Sequence, residues 1–236
     1  MGKYLREGLV AGVVAGFVAA VYLATVVQPI LGEAIALEER SGHGHEPLFT
    51  RLGQQIGGAI GTLFYGVLVG LILGVVVALT RHRLLGDDRQ RAMRGATASF
   101  VCVLLVPFLK YPGNPPGVGD PATVSRRAGL YLVFVALSII SAWSAWRLAR
   151  TLRARGRSRE VANLAGVACY IAAVALAALV LPGAGNQVGL PVELVWRFRI
   201  ASLGGSALLM AVAGVVLGAR LVSDQSAVVT EVDVHA

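Results

Sequence analysis

The sequence predicts an all-α, polytopic integral membrane protein, a helical bundle of about six transmembrane helices, with five as the alternative count. Two observations predict this fold class. Of the 236 residues, 56% are hydrophobic and 14% are charged, whereas a soluble domain carries about 25% charged residues. The apolar residues also form runs long enough to cross a hydrocarbon core of about 30 Å, which takes about 20 residues of helix.

Six apolar runs are the candidate spans: residues 5–27, 56–80, 92–109, 128–148, 161–181 and 200–221. The third is the weakest, because residues 94–99 are mostly small or polar, and a five-span protein would lack it. The first is too long to be the 7–15-residue core of a signal peptide, and no small-residue cleavage site closes it. We therefore expect one transmembrane domain over residues 1–221. Residues 222–236 are predicted to be a short disordered cytoplasmic tail.

The net charge of +8 does not indicate nucleic-acid binding, because the basic residues alternate along the chain with the predicted spans. Fourteen of the 21 Lys and Arg residues lie near the N-terminus, in the connections after the second and fourth spans, and at the end of the sixth span. The positive-inside rule places these segments, and with them the N-terminus, in the cytoplasm. The Arg-rich connections are expected to contact anionic head groups of the lipid bilayer.

Two predicted spans share a glycine repeat of four residues. The repeat comprises Gly8, Gly12 and Gly16 in the first span and Gly66, Gly70 and Gly74 in the second. Such spacing places the glycines on one helix face, where a neighbouring backbone can approach closely. We expect tight packing of these two spans as a hairpin pair, with a pore lined by small residues as the alternative. Gly214 and Gly218 offer a similar face in the last span.

The candidate metal ligands lie in the predicted external loops. His43, His45 and Glu46 follow the first span, and Glu38 lies one to two turns before them. Imidazole and carboxylate groups suit divalent transition metals, although such residues also occur in surface loops by chance. The two cysteines, Cys102 and Cys169, fall inside apolar runs, where thiols usually pack as small hydrophobic groups. We assign them neither a disulfide nor a metal.

The second external loop, residues 107–121, contains five prolines and three glycines. Proline fixes φ and removes a backbone donor, so this segment is neither regular helix nor central strand. A rigid, shaped loop is expected. Asn114 and Asp120 supply its oxygen ligands, although Asp120 is equally suited to capping the following helix.

The third external loop, residues 191–199, carries Trp196 and Phe198, which are typical of a membrane interface. Arg197 and Arg199 lie on the side that the positive-inside rule leaves poor in basic residues. We therefore expect them to have acidic partners. The candidates are Glu193, Glu38 and Asp120.

These loops carry a resemblance to a known family. Residues 107–121 (PFLKYPGNPPGVGDP), residues 194–204 (LVWRFRIASLG) and residues 34–39 (AIALEE) resemble the signature stretches of the CbtA family of predicted cobalt transporter subunits. The resemblance covers nearly the whole chain. It implies a bacterial inner (plasma) membrane protein for cobalt uptake that acts with a single-span CbtB-like subunit and feeds cobalamin synthesis. The family is often described with five spans.

The sequence is interpreted as a membrane subunit for uptake of Co²⁺, with Ni²⁺ left open because the same ligands bind both. The chain contains no phosphate-binding P-loop motif, so it is predicted to lack its own ATPase. The metal is cargo, no permanently bound cofactor is expected, and homo-oligomerisation is left open. External capture is assigned to His43, His45 and Glu46, and mouth ligands to Glu38, Asn114 and Asp120.

The residues also bear on two other function classes. The alternative is a non-transporting membrane scaffold that organises a partner complex, because the spans hold almost no ionisable residue apart from Glu7, whereas an ion path usually contains several. A membrane enzyme is disfavoured, because no Ser/His/Asp arrangement or carboxylate pair lies at one membrane depth. The chain is predicted not to be an enzyme.

Overall fold

The computed structural model describes residues 1–40, 50–82, 86–115, 118, 123–183 and 190–234, with side chains up to residue 222. All regular secondary structure in these ranges is helical. Six helical segments in this part of the chain are long and apolar enough to cross a membrane: Gly2–Arg40, Arg51–Thr80, Asp88–Lys110, Val124–Ala154, Arg159–Val180 and Val192–Val222. The predicted fold class and the count of six are confirmed, including the weak third span.

Two of these segments combine α-helix with a short π-helix. The first consists of α1 (Gly2–Tyr22), the first π segment (Leu23–Val27) and α2 (Gln28–Arg40). The third consists of α4 (Asp88–Ser99), the second π segment (Phe100–Leu105) and α5 (Val106–Lys110). The other four are the uninterrupted α-helices α3 (Arg51–Thr80), α6 (Val124–Ala154), α7 (Arg159–Val180) and α8 (Val192–Val234). Helix α8 thus continues through most of the segment that we predicted to be a disordered tail.

Side chains cap the starts of three helices. The hydroxyl of Thr50 accepts a hydrogen bond from the Gly53 amide at the start of α3 (3.2 Å). Asp87 accepts one from the Gln90 amide before α4 (2.7 Å), and Ser158 does the same for α7. These caps satisfy amide groups that have no partner within the helix.

Helix packing divides the predicted membrane domain into two compact units. The first unit comprises residues 1–100, 115–117 and 190–236, and the second comprises residues 101–114 and 118–189. The chain passes from one to the other at the start of the second π segment.

The first unit is built on glycine contacts between α1 and α3. A Cβ atom added to Gly8 would lie 2.6 Å from the Gly70 carbonyl oxygen, and one added to Gly12 would lie 2.7 Å from that of Gly66. No real Cβ fits at such distances, so these positions require glycine. The predicted hairpin pair and its tight packing are confirmed. Gly214 of α8 similarly faces Ala96 of α4, where an added Cβ would lie 2.7 Å from the alanine methyl.

The second unit is built on the pair α6 and α7. Gly166 of α7 faces the Ala145 carbonyl of α6, where an added Cβ would lie 3.1 Å away. Phe134 is the main fully buried side chain of α6, and its ring contacts Tyr111 edge-on with centroids 5.9 Å apart. In α7, by contrast, most large apolar side chains are exposed on the surface, among them Leu164, Ile171 and Leu179. This is expected of a helix that contacts lipid.

Candidate functional site

Four of the six predicted metal ligands, His43, His45, Glu46 and Asp120, lie outside the described residues. The other two are described. Glu38 lies in the last turns of α2 and belongs to the first unit, and Asn114 lies in the extended segment after α5 and belongs to the second. Both side chains are partly buried. Among the described residues there is no group of three or more His, Cys, Asp or Glu side chains that could hold a metal.

Helix α2, which carries Glu38, is held against the start of α8 by an apolar cluster. Its buried members are Val27, Ile30, Ala34, Leu194 and Ala201, and Leu37 and Phe198 pack against them. Ala34 is completely buried, so the face of α2 that carries it is fixed. Glu38 follows Ala34 by about one turn on the same face of α2, so the apolar cluster fixes the helix backbone that carries this carboxylate.

Residues 192–199, which were predicted to be most of the third external loop, form the first turns of α8, and a charge pair joins them to α2. Arg197 donates a hydrogen bond to Glu33 at 3.0 Å, with each side chain about half exposed (50% and 49%). The prediction that Arg197 has an acidic partner is thus confirmed, but the partner is Glu33, which was not among the candidates Glu193, Glu38 and Asp120. The reason is helical geometry: Glu33 lies about one turn before Leu37, on the side of α2 that Arg197 reaches. Arg199 stacks over the Trp196 ring at 5.4 Å.

The prediction that residues 107–121 contain no regular helix is wrong at its start, because Pro107 lies in the first turn of α5, where a proline is tolerated. The proline-rich loop begins with Tyr111, which anchors it. The Tyr111 hydroxyl donates a 2.7 Å hydrogen bond to the Pro182 carbonyl, and its side chain is only 6% exposed. Burial raises the pKa of Tyr111 above its ordinary value, so the hydroxyl stays protonated as a donor. The extended residues that follow, Pro112 to Asn114, are therefore held at the end of α5. Lys110, beside them, lies 5.8 Å from the Tyr111 ring centroid.

Each π segment ends two residues before a proline inside a helix, Pro29 in the first span and Pro107 in the third. Proline has no amide hydrogen and its ring crowds the carbonyl four residues earlier, so the regular helical ladder cannot continue there. A π-helical turn is one way to absorb this mismatch. The carbonyl four residues before Pro107 is that of Val103, and the Tyr131 hydroxyl donates to it at 3.1 Å. Residues of α6 thus stabilise a backbone group that Pro107 leaves without its usual donor.

A second polar group lies nearby in the second unit. The hydroxyls of Ser138 and Tyr170 are 2.9 Å apart. Ser138 is 1% exposed. Its hydroxyl therefore needs a partner within the protein, which Tyr170 provides. Cys102 and Cys169 are both free thiols.

The first unit contains the most buried charge of the described spans. Glu7 of α1 is completely buried and its two carboxylate oxygens have different arginine partners. Oε1 accepts from Arg6 at 2.8 Å, and Oε2 accepts from Arg220 Nε at 2.7 Å. A carboxylate at this depth must be paired, and Arg220 joins α8 to α1 by doing so. Glu7 stands out in the sequence as an ionisable residue within a span, but the sequence does not identify Arg220 as its partner.

Three features of the structure were not predicted from the sequence. They are the π segments, the Tyr131–Val103 hydrogen bond and the Glu7–Arg220 ion pair. Pro29 and Pro107, each placed next to or inside an apolar run, were the available signal for the π segments. No comparable signal existed for Arg220, because it lies more than 200 residues from Glu7 in the chain.

The described residues provide neutral oxygen ligands on well-positioned backbone. They provide few charged side chains within the membrane-spanning helices. Two buried acidic side chains lie in the described parts of the spans, Glu7 and Asp88. Each pairs with an arginine. Carbonyl and hydroxyl oxygens, by contrast, occur at the second π segment and at the start of the proline-rich loop. These groups bind hard and borderline cations only weakly in isolation.

Comparison with known proteins gives one finding. A family model described as "Probable cobalt transporter subunit (CbtA)" matches residues 1–222, nearly the whole chain. No curated protein and no solved structure matches the sequence.

Proposed function

The chain belongs to the CbtA family of probable cobalt transporter subunits, and on this premise we propose that it is the membrane subunit of a system that moves Co²⁺ into the cell. The observation that carries the proposal is the family match over residues 1–222. Six helices that are apolar enough to span a bilayer are consistent with it. Whether Ni²⁺ is also carried depends on ligand geometry, because imidazole and carboxylate groups bind both ions.

For metal capture we propose His43, His45 and Glu46, with Glu38, Asn114 and Asp120 as ligands at the mouth. Two features support this assignment. Glu38 is carried by a helix that the apolar cluster with α8 holds in place, and Asn114 follows a loop start that the Tyr111–Pro182 hydrogen bond fixes. Ligands held on fixed backbone can bind an ion without first paying for ordering.

We further propose that transport requires a second subunit, of which a single-span CbtB-like protein is the candidate. A transporter subunit implies partners. The charge pattern of the spans supports this, because the buried carboxylates that the structure describes are paired with arginine and an unaccompanied Co²⁺ would find few anionic ligands there. A partner can supply ligands and, since this sequence has no P-loop motif, also the energy source.

The proposal places the protein in the bacterial inner membrane with its N-terminus in the cytoplasm, and assigns it no enzymatic activity. The distribution of Lys and Arg supports this orientation. Reporter fusions at the N-terminus and in the loop after α2 measure it directly: the two fusions should report opposite sides of the membrane.

Uptake of radioactive cobalt tests the function. Cells that lack other cobalt importers are given this chain alone, the single-span partner alone, or both, with the amount of protein in the membrane measured in each case. We expect uptake only when this chain is present, and the largest uptake with both. Absence of uptake in all three, with both proteins in the membrane, would contradict the proposal.

Equilibrium binding tests the ligands separately. The purified chain is titrated with Co²⁺, and His43→Ala, His45→Ala and Asp120→Asn are compared with His82→Ala. His82 is a suitable control because it is exposed and accepts a hydrogen bond from Arg81, on the side predicted to be cytoplasmic. Loss of a ligand should weaken binding by about tenfold or more, whereas His82→Ala should leave it unchanged. Equal effects at all four positions would contradict the assignment.

A scaffold that organises a partner complex is the second candidate. The observation that supports it is the pairing of the described buried carboxylates with arginine, which leaves few anionic ligands for an ion within the spans. The two candidates differ in the effect of ligand variants on uptake by the complex. A scaffold keeps cobalt uptake in His43→Ala and Asp120→Asn as long as it still binds its partner, whereas a transporting subunit loses it.

A further inference from the structure

A cluster of basic side chains surrounds the start of α1 in the first unit. Its members are Lys3, Arg6, Arg81 and Arg220. Arg81 lies over the Tyr4 ring at 5.5 Å, and Lys3 donates to the Leu221 carbonyl at 3.3 Å. Arg6 and Arg220 both pair with the carboxylate of Glu7. Two of the four cations thus share one buried carboxylate, and the other two contact the neighbouring turns of α1 and α8.

Glu7 fixes two of these cations in defined positions. Its carboxylate is completely buried, and it accepts hydrogen bonds from the inner edges of both guanidinium groups, Arg6 through Nε and Nη2 and Arg220 through Nε. The side chains of Arg6 and Arg220 are nevertheless 64% and 50% exposed. Two guanidinium groups are thus oriented by a buried acid while they remain open to the surface. Such preorganised guanidinium groups match the geometry of a phosphate.

The backbone of α1 adds to the positive potential. The positive end of a helix dipole is normally balanced by acidic residues or a side-chain cap. The first turn of α1 carries no acidic residue, and Met1 provides no side-chain cap. Lys3 and Arg6 instead add positive charge where the dipole already favours an anion.

Apolar side chains lead away from this cluster along α1. Leu5, Leu9 and Val13 recur every four residues and are 36%, 43% and 45% exposed. They form a stripe that begins at the level of Arg6 and runs into the membrane-spanning part of the helix. A ligand that fits both features has a phosphate group joined to a hydrocarbon chain.

We propose that the start of α1, together with Arg81 and Arg220, is a binding site for an anionic phospholipid, with the phosphate held by the basic cluster and an acyl chain lying along Leu5, Leu9 and Val13. The site differs from general attraction of basic loops to the membrane surface, because the buried carboxylate of Glu7 orients two of its ligands. One lipid is expected per chain. The proposal is independent of which ion the protein carries.

Retention of lipid by the purified full chain tests the proposal. Phosphatidylglycerol and phosphatidylcholine with identical acyl chains are titrated into the detergent-purified protein, and bound lipid is counted by mass spectrometry of the intact chain. We expect a saturable first phosphatidylglycerol and no comparable phosphatidylcholine. Equal retention of the two lipids would overturn the proposal. Displacement of phosphatidylglycerol by an equal concentration of inorganic phosphate would overturn the lipid assignment in favour of a soluble anion.

Three variants locate the site. Arg81→Gln removes one charge without touching the Glu7 pairs and should weaken phosphatidylglycerol binding by about fivefold. The double variant Glu7→Gln with Arg220→Gln removes equal and opposite charges, so that a loss of binding reports the loss of Arg220 and of the carboxylate that orients Arg6, and not a change in net charge. Arg150→Gln is the matched control, because Arg150 is also a basic residue stacked on an aromatic ring, that of Trp146 at 4.9 Å. Equal losses in Arg81→Gln and Arg150→Gln would show general electrostatic attraction and overturn the proposed site.

Discussion

The two units of this protein solve the problem of packing membrane helices in different ways. In the first, α1 and α3 meet through glycine backbones, and a buried carboxylate joins α1 to α8. In the second, hydroxyl groups bond to each other or to backbone carbonyls, and few side chains are buried. In an 18-residue apolar stretch of the first span (Gly2–Arg40), 33% of the residues are buried, compared with 6% in the corresponding stretch of α7.

This difference in packing predicts which unit is rigid and which has an accessible surface. Backbone contacts between glycines leave no room for side-chain rearrangement, so the first unit should behave as a rigid frame. Hydroxyl hydrogen bonds are individually weak, and α7 leaves most of its surface to lipid or to a partner. A subunit of a larger transporter needs both a stable frame and an accessible surface.

The largest effect is expected from a bulky residue at the glycine contact. Gly70→Leu would place side-chain atoms on the backbone of Gly8 and Gly12, and should lower the free energy of unfolding by about 3 kcal/mol. Gly61→Leu on the same helix is the control, because an added Cβ at Gly61 meets nothing within 4 Å. Thermal unfolding in detergent measures both. If Gly61→Leu were as destabilising as Gly70→Leu, the cost would belong to the helix itself and not to the α1–α3 contact.

Breaking the buried ion pair should have the next largest effect. Arg220→Gln leaves Glu7 with Arg6 alone, and should cost about 2 kcal/mol, because a buried charge that loses a partner is strongly destabilising and Arg6 covers part of the loss. Glu7→Gln combined with Arg220→Gln removes both charges and should restore most of the stability. A double variant that is less stable than Arg220→Gln would show that the pair itself holds the helices together.

Loss of a hydroxyl hydrogen bond in the second unit should lower the free energy of unfolding by less than loss of the Arg220 pair does. Tyr131→Phe removes the donor to the Val103 carbonyl, and should cost about 1 kcal/mol. In a Pro107→Ala background the restored amide can serve that carbonyl, so the cost of Tyr131→Phe should shrink. An unchanged cost in that background would separate the Tyr131 contact from the proline. Tyr65→Phe is the control, since Tyr65 is 45% exposed.

The smallest effect belongs to the exposed pair of the first unit. Arg197→Gln removes the contact with Glu33, whose side chain is about half exposed, and should change the free energy of unfolding by about 0.5 kcal/mol or less. The change should become smaller still in high salt. A larger, salt-insensitive loss would show that Arg197 has a role beyond this pair.

The sequence was sufficient for the features that depend on one helix at a time. Hydropathy and length identify the spans, since the cost of placing a segment in lipid is a property of that segment. The four-residue spacing of Gly8, Gly12 and Gly16 also predicted a packing face, and the matching spacing in α3 identified its partner.

Features that depend on the meeting of distant segments were not predictable in this way. Arg197 could pair with any acidic residue at the same end, and the fold selects Glu33 because of the way α2 packs on α8. The partner of Glu7 likewise depends on how α1 packs on α8. The candidate metal ligands stay a prediction: Glu38 and Asn114 are held on ordered backbone, and the remaining four lie outside the described residues.

The central claim is that this chain forms part of the path by which cobalt crosses the membrane. Flux into sealed vesicles tests it most directly: the purified chain, the proposed single-span partner or both are reconstituted, and entry of radioactive Co²⁺ is measured with Mg²⁺ as the reference ion. The account predicts Co²⁺ entry that needs this chain, is greatest with both proteins, and falls in Asp120→Asn. The comparison is made in vesicles that contain both folded proteins and an added energy source. Co²⁺ entry no greater than in vesicles with the partner alone would contradict the proposal.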